Sequence, residues 1–150
     1  MMERRPFEYK GGGTRSYGKL YGYKKLLAWQ AADDLTALVF EVTKAFPRHY
    51  DFQARQMLRA ASSAKTNIAE GYCRNSLGDY IRYCEIARGS LGELGSQMQD
   101  CERWQLLTDE QIDSLLEIYH HATFFLEKLI QALYRKRRNQ PEWNRDLSKP

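Results

Sequence analysis

Glu117 and His120 are the pair in this chain whose spacing carries catalytic overtones. Residues three apart share one face of a helix, and carboxylate-bridged di-iron bundles use Glu-x-x-His for that reason. Such sites need two copies of the motif and two further glutamates. Here there is one copy, and the chain has only three histidines, His49, His120 and His121. His120 and His121 are adjacent, so they point in different directions and cannot chelate from one face. A helical ribonuclease of the HEPN type would need an arginine about a turn ahead of a histidine, and none is so placed. No Gly-rich phosphate loop, serine elbow or zinc cluster is present either. Glu70, Glu85 and Glu93 would serve acid–base chemistry only if buried together, and Glu85 is better read as a surface partner of Arg82 or Arg88. The residues point to a protein that is not an enzyme and uses no cofactor or metal.

What remains is charge, and its placement is uneven. The net charge is +4 over 150 residues. Residues 1–25 and 128–150 each carry +5, and the body between them carries −6. A mildly acidic body with two basic ends suits nucleic acid or another polyanion, although basic tails also aid solubility. The phosphate-contacting candidates are Lys24, Lys25, Arg135, Lys136, Arg137 and Arg138. Around the first pair, Tyr17, Lys19, Tyr21 and Tyr23 alternate aromatic and basic character, so Tyr21 and Tyr23 are candidates to stack on bases. The same composition fits an arm that docks on a neighbouring subunit.

The elements that must position these residues are helical. Leu107-Thr108-Asp109-Glu110-Gln111-Ile112 is a capping box with a hydrophobic staple. Apolar residues follow at Ile112, Leu115, Tyr119, Ala122, Leu126, Leu129 and Leu133, alternating steps of three and four. The same alternation runs through Tyr80, Cys84, Ala87, Leu91, Leu94, Met98 and Cys101 in a helix that Ser76 caps, with Asp79 in its first turn. A first helix is predicted from Leu27 to Phe46, stopped by Pro47. A second is predicted from a cap at Asp51 to Glu70, with Gly71 at its C-terminal cap. Its run Ala60-Ala61-Ser62-Ser63-Ala64 permits close approach of a neighbouring backbone. Gly89, Gly92 and Gly95 each cost about 1 kcal/mol inside the third helix, for which close helix contact is the expected compensation.

The pattern predicts an all-α, up-down antiparallel four-helix bundle over 25–138. A flexible basic and aromatic arm precedes it over 1–24, and a disordered tail follows over 139–150. Trp29, Phe40, Leu116, Ile118, Phe124, Phe125 and Ile130 cannot all face one core, which predicts a homo-oligomer. The absence of an apolar run of about 18 residues and of a signal-like start leads to the expectation of a soluble, cytoplasmic protein with no membrane partner. Cys84 and Cys101 are expected as reduced core residues.

Two blocks carry a resemblance. Asn67-Ile68-Ala69-Glu70-Gly71, and Ile86-Ala87-Arg88-Gly89-Ser90-Leu91 with Glu93-Leu94, resemble the four-helix-bundle proteins named for intervening sequences of bacterial 23S ribosomal RNA genes. Tyr23, Leu26, Trp29-Gln30-Ala31 and the Phe46-Pro47 break fit the same pattern. That family is similar to the accessory variability proteins of diversity-generating retroelements, pentameric barrels that bind a reverse transcriptase and nucleic acid. The resemblance implies a ring-shaped homo-oligomer, a pentamer by analogy, with RNA or a reverse transcriptase as partner. It hands over no catalytic residue. Asn67 and Glu70 are expected to fix the corner between the second and third helices by bonds to the backbone.

Overall fold

The computed structural model describes residues 22–143. Within them lie a 3-10 turn at Gly22–Lys25 and four α-helices: α1 (Leu27–Thr43), α2 (Asp51–Cys73), α3 (Leu77–Arg103) and α4 (Asp109–Asn139). A second 3-10 turn, Arg48–Tyr50, leads into α2. The helices pack as a closed ring of neighbours, α1 on α2, α2 on α3, α3 on α4 and α4 on α1.

Cross-helix pairs fix the antiparallel register. From the α2–α3 corner outward, Gly71 meets Tyr80 and Tyr83, Ser63 Oγ lies 2.9 Å from Ser90 Oγ, and Gln53 reaches the Gln97 carbonyl. Between α3 and α4, Glu85 takes the Tyr134 hydroxyl, Arg88 bonds Glu127 at 3.2 Å, and Gly95 faces Tyr119. Lys65 on α2 pairs with Asp33 on α1 at 3.2 Å. Each connection is short, so the chain runs up, down, up and down. The start of α1, the α2–α3 corner and the finish of α4 therefore share one end of the bundle.

The core is continuous and mostly aliphatic, with Tyr80 and Phe46 also buried in it. Leu35, Val39, Met57, Ile68, Leu91, Leu94, Leu115 and Leu126 are essentially buried, each worth about 1.5–3 kcal/mol by removal from water. Cys84 and Cys101 lie in it as free thiols, and burial pushes the Cys84 thiol up to about 12. Ile118 and Ile130, expected to face a neighbouring subunit, are instead core residues, 1% and 3% exposed. The buried stripe of α4 is Leu115, Ile118, Ala122, Leu126, Ile130 and Leu133, and Ile112, Tyr119 and Leu129 flank it half-buried. Of the other residues set aside for an interface, Phe40, Leu116 and Phe124 are exposed, whereas Trp29 and Phe125 are half-buried against the core.

Local capping decides the helix starts. Ser76 accepts the Asp79 N–H, and Thr108 and Gln111 form the full reciprocal box. Asp51 is the first helical residue and makes no side-chain cap bond, because the 3-10 turn before it already delivers the chain into α2. The helix α1 finishes at Thr43 rather than Phe46, three residues earlier in the approach to Pro47. Gly71 is not a cap. α2 continues through it to Cys73, and a Cβ there would sit 2.8 Å from the Tyr83 Cβ and 3.1 Å from the Tyr80 carbonyl. Glycine at this position lets α3 cross close to α2. Gly95 makes similar room for the Tyr119 hydroxyl, 2.5 Å from where a Cβ would stand. Gly89 and Gly92 contradict the packing expectation, since both are exposed with nothing near a Cβ.

Candidate nucleic-acid interface

The up-down path collects the basic segments at one end. Lys24 and Lys25 lie in the turn that precedes α1, and Arg135, Lys136, Arg137 and Arg138 occupy the last turns of α4. The α2–α3 corner adds Arg74 and Arg82, which reading the sequence as separate basic tails missed. The signal was available: in an up-down bundle the middle connection lies at the same end as both chain termini. Among the described residues the carboxylates at this end are Glu70, Asp79, Glu85 and Glu142. Cations at helix C-termini also oppose the negative end of the dipole, which favours a basic run where α4 stops.

The cations divide into two sets. Arg74 is engaged: it donates to Glu70 at 2.7 Å and to the Tyr83 hydroxyl at 2.7 Å, and its guanidinium lies over the Tyr83 ring. The bond from Arg74, with help from Tyr83, holds the Glu70 carboxyl below its ordinary range. Arg82 lies over the same ring at 5.2 Å and is 3.9 Å from Asp79. By contrast, among the described residues no ion pair ties Lys24, Lys25, Arg135, Lys136, Arg137 or Arg138 to a carboxylate. Lys136 rests over Trp143 at 4.1 Å and Arg137 over Tyr134 at 4.8 Å. Consecutive helical residues step by about 100°, so the four fan around the tip of α4 instead of forming a stripe.

The arm expected over 1–24 has ordered structure in its last residues. Gly22 takes a left-handed φ of 57°, the Leu26 N–H bonds the Tyr23 carbonyl, and Gln30 donates to the Lys24 carbonyl at 2.8 Å. Tyr23 is half-buried with its ring 5.3 Å from Trp29, so it is a packing residue and not a free stacking platform. Tyr21 lies outside the described residues.

Asn67 and Glu70 act differently from expectation. Asn67 bonds back within α2, to the Ser63 carbonyl at 2.8 Å and its hydroxyl at 3.1 Å, and Ser63 in turn meets Ser90 on α3. Glu70 holds the corner through the side chains of Arg74 and Tyr83 rather than through backbone. On α4, the Tyr134 hydroxyl donates to Glu85, which holds that phenol's pKa above its ordinary value. Glu85 also stands 3.8 Å from Arg88. Glu117 and His120 are both exposed, and among the described residues no group of three or more His, Cys, Asp or Glu is arranged to hold a metal. No helix among these residues is long and apolar enough to cross a membrane.

The opposite end is different in kind. Tyr50, Phe52 and Trp104 form a ring cluster with centroids 6.2–6.5 Å apart, joined by His49, and Phe52 and Trp104 are 48% and 41% exposed. Carboxylates predominate around it: Glu41, Asp51, Asp100, Glu102, Asp109, Glu110 and Asp113 against Lys44, Arg48, Arg55 and Arg103. A cavity of about 290 Å³ opens nearby between α3 and α4, lined by Met98, Leu107, Ile112 and Leu115 with Glu102 at its edge.

Fold and surface thus define a small antiparallel four-helix bundle with one basic end. Residues 24–128 match the 23S rRNA-intervening sequence proteins, and the chain belongs to that family. It is also similar to the crystal structure of a protein of unknown function from the S23 ribosomal protein family of Bacteroides thetaiotaomicron. The TM-score is 0.65 at 20% identity, covering 70% of this chain and 96% of that one. That likeness supports the fold. No curated protein matches the chain in sequence.

Proposed function

We propose that this protein is a non-enzymatic helical scaffold that binds structured RNA through the basic end of its bundle. The observation that carries this reading is convergence: Lys24 and Lys25 meet the Arg135–Arg138 run at one end, with no carboxylate partner among the described residues. The name of the family supports RNA as the polyanion. The reading includes assembly as a homo-oligomer, a pentameric ring by analogy with the accessory variability proteins of retroelements, in which copies of a weak basic end add up. Exposed Phe40, Leu116 and Phe124 supply apolar surface for subunit contact. Native mass spectrometry tests the assembly, and a monomer at micromolar concentration removes it.

Fluorescence anisotropy with a structured RNA across a salt series tests the binding. If all six unpaired cations contact phosphate, affinity falls on the order of a thousandfold between about 50 and 200 mM salt. Absence of binding at low salt defeats the reading. The Tyr50–Phe52–Trp104 cluster, with Phe52 and Trp104 exposed, favours the second reading, an adaptor that docks a protein such as a reverse transcriptase and makes no nucleic-acid contact. It predicts binding of such a partner that Trp104→Ala weakens and that charge removal at the other end leaves unchanged.

A further inference from the structure

The basic end keeps its aromatic rings and its cations in opposite states, and the inference drawn from this rests on the RNA-binding reading above. Proteins that hold single strands combine a positive groove, which tracks one backbone, with open aromatic faces on which bases stack. Among the described residues this end offers neither. Tyr23 packs on Trp29, Tyr72 meets the edge of Tyr80 at 6.0 Å, and the Tyr83 ring carries the guanidiniums of Arg74 and Arg82. Tyr134 gives its hydroxyl to Glu85 under Arg137, and Trp143 lies beneath Lys136. Among the described residues, Tyr23, Tyr72, Tyr83, Tyr134 and Trp143 are each at least partly buried. The exposed rings Phe52 and Trp104 stand at the far end, where the cavity between α3 and α4 also lies.

The cations have the reverse disposition. Lys24, Lys25, Arg135 and Arg138 are exposed and without a carboxylate partner among the described residues. They come from two different helix ends, and neighbouring axes in such a bundle stand about 8–10 Å apart. Their charges are therefore spread over a blunt face made of two helix ends. A blunt face of this kind suits phosphates presented on two strands at once. Base-paired RNA has that form, with its bases stacked away and its backbone and 2′-hydroxyls turned outward. We infer that the ligand of the basic end is a base-paired RNA segment, held by its phosphates without base stacking and without sequence readout.

The test uses the full chain and anisotropy over a salt series. One probe is an RNA duplex of about 20 base pairs, and the other a U-rich single strand with the same number of phosphates, so that raw charge does not decide. The duplex is expected to bind at least about tenfold tighter, duplexes of unrelated sequence to agree within about threefold, and affinity to vanish along a straight log–log line as salt rises. Arg135→Gln with Arg138→Gln should flatten that line by about two. A single strand that binds as tightly as the duplex overturns the inference and leaves RNA binding intact, as does affinity that persists at high salt and varies with the base. If neither probe binds at low salt, the inference falls together with the reading it rests on.

Discussion

The two ends of the bundle are made of the same parts, helix termini and short connections, yet they differ in what they leave free. Among the described residues where the chain enters and leaves, Lys24, Lys25, Arg135 and Arg138 are exposed with no carboxylate partner, while Tyr23, Tyr83, Tyr134 and Trp143 each pack against a protein neighbour. At the other end the rings of Phe52 and Trp104 are open, and carboxylates outnumber cations. Neither surface is demanded by the core, which is mostly aliphatic with Tyr80 and Phe46 buried in it. The difference shows how an up-down topology sorts surface chemistry. Segments far apart in sequence, at 24–25, 74–82 and 135–138, become neighbours because four antiparallel helices bring one connection and both termini to one side.

The largest effect should come from erasing that difference. Replacing Lys24, Lys25 and Arg135 to Arg138 by glutamine should weaken RNA binding at about 50 mM salt on the order of a hundredfold or more, with the circular dichroism spectrum unchanged. Glu102→Gln with Asp113→Asn, at the acidic end, should shift it by less than about threefold.

Next in size is the corner that fixes the basic end. Gly71→Ala drives a Cβ into the Tyr83 Cβ and the Tyr80 carbonyl, and should cost about 1–3 kcal/mol in urea unfolding. At the acidic end, Thr108→Ala removes half of the capping box and should cost about 1 kcal/mol by the same measurement. Smaller still, two substitutions should stabilise. Gly89→Ala fills open space on an exposed helix, and Gln105→Gly relieves a left-handed φ of 57°; each is expected to add about 0.5–1 kcal/mol.

The smallest effect is a pH dependence of the corner. Glu70 is held below its ordinary value of 4.5 by Arg74, so its contribution is complete above that pH and is lost as pH falls through the lowered value. The melting temperatures of the native chain and Glu70→Gln should differ by a constant amount above pH 4.5 and converge below it. A gap that widens in acid would break this account.

How much of this was legible in the sequence depended on the range of the forces involved. The start of α4 was readable residue by residue, because Thr108 and Gln111 settle it between themselves. The direction of its buried face was less so. Alternating steps of three and four look alike whether the stripe runs through Tyr119 and Leu129 or through Ile118 and Ile130, and only the neighbouring helices decide. Gly71 carries a local signal for a cap, but its role is set by Tyr80 and Tyr83 on another helix. Lys24, Lys25 and Arg135 to Arg138 could be picked out as basic runs in the sequence, while the place of Arg74 and Arg82 beside them became visible only once the path of the chain was known. The contact of Tyr23 with Trp29 was not legible, because Trp29 stands six residues onward, on α1.

The 27 residues of α3 run from one end to the other, about 40 Å. Opposite charge held that far apart makes the molecule an electric dipole along its own axis. In the field of a polyanion such a body turns before it touches, arriving basic end first and aromatic end outward. Added salt should then slow association far more than it hastens release, and whatever docks on Phe52 and Trp104 meets a protein already facing it.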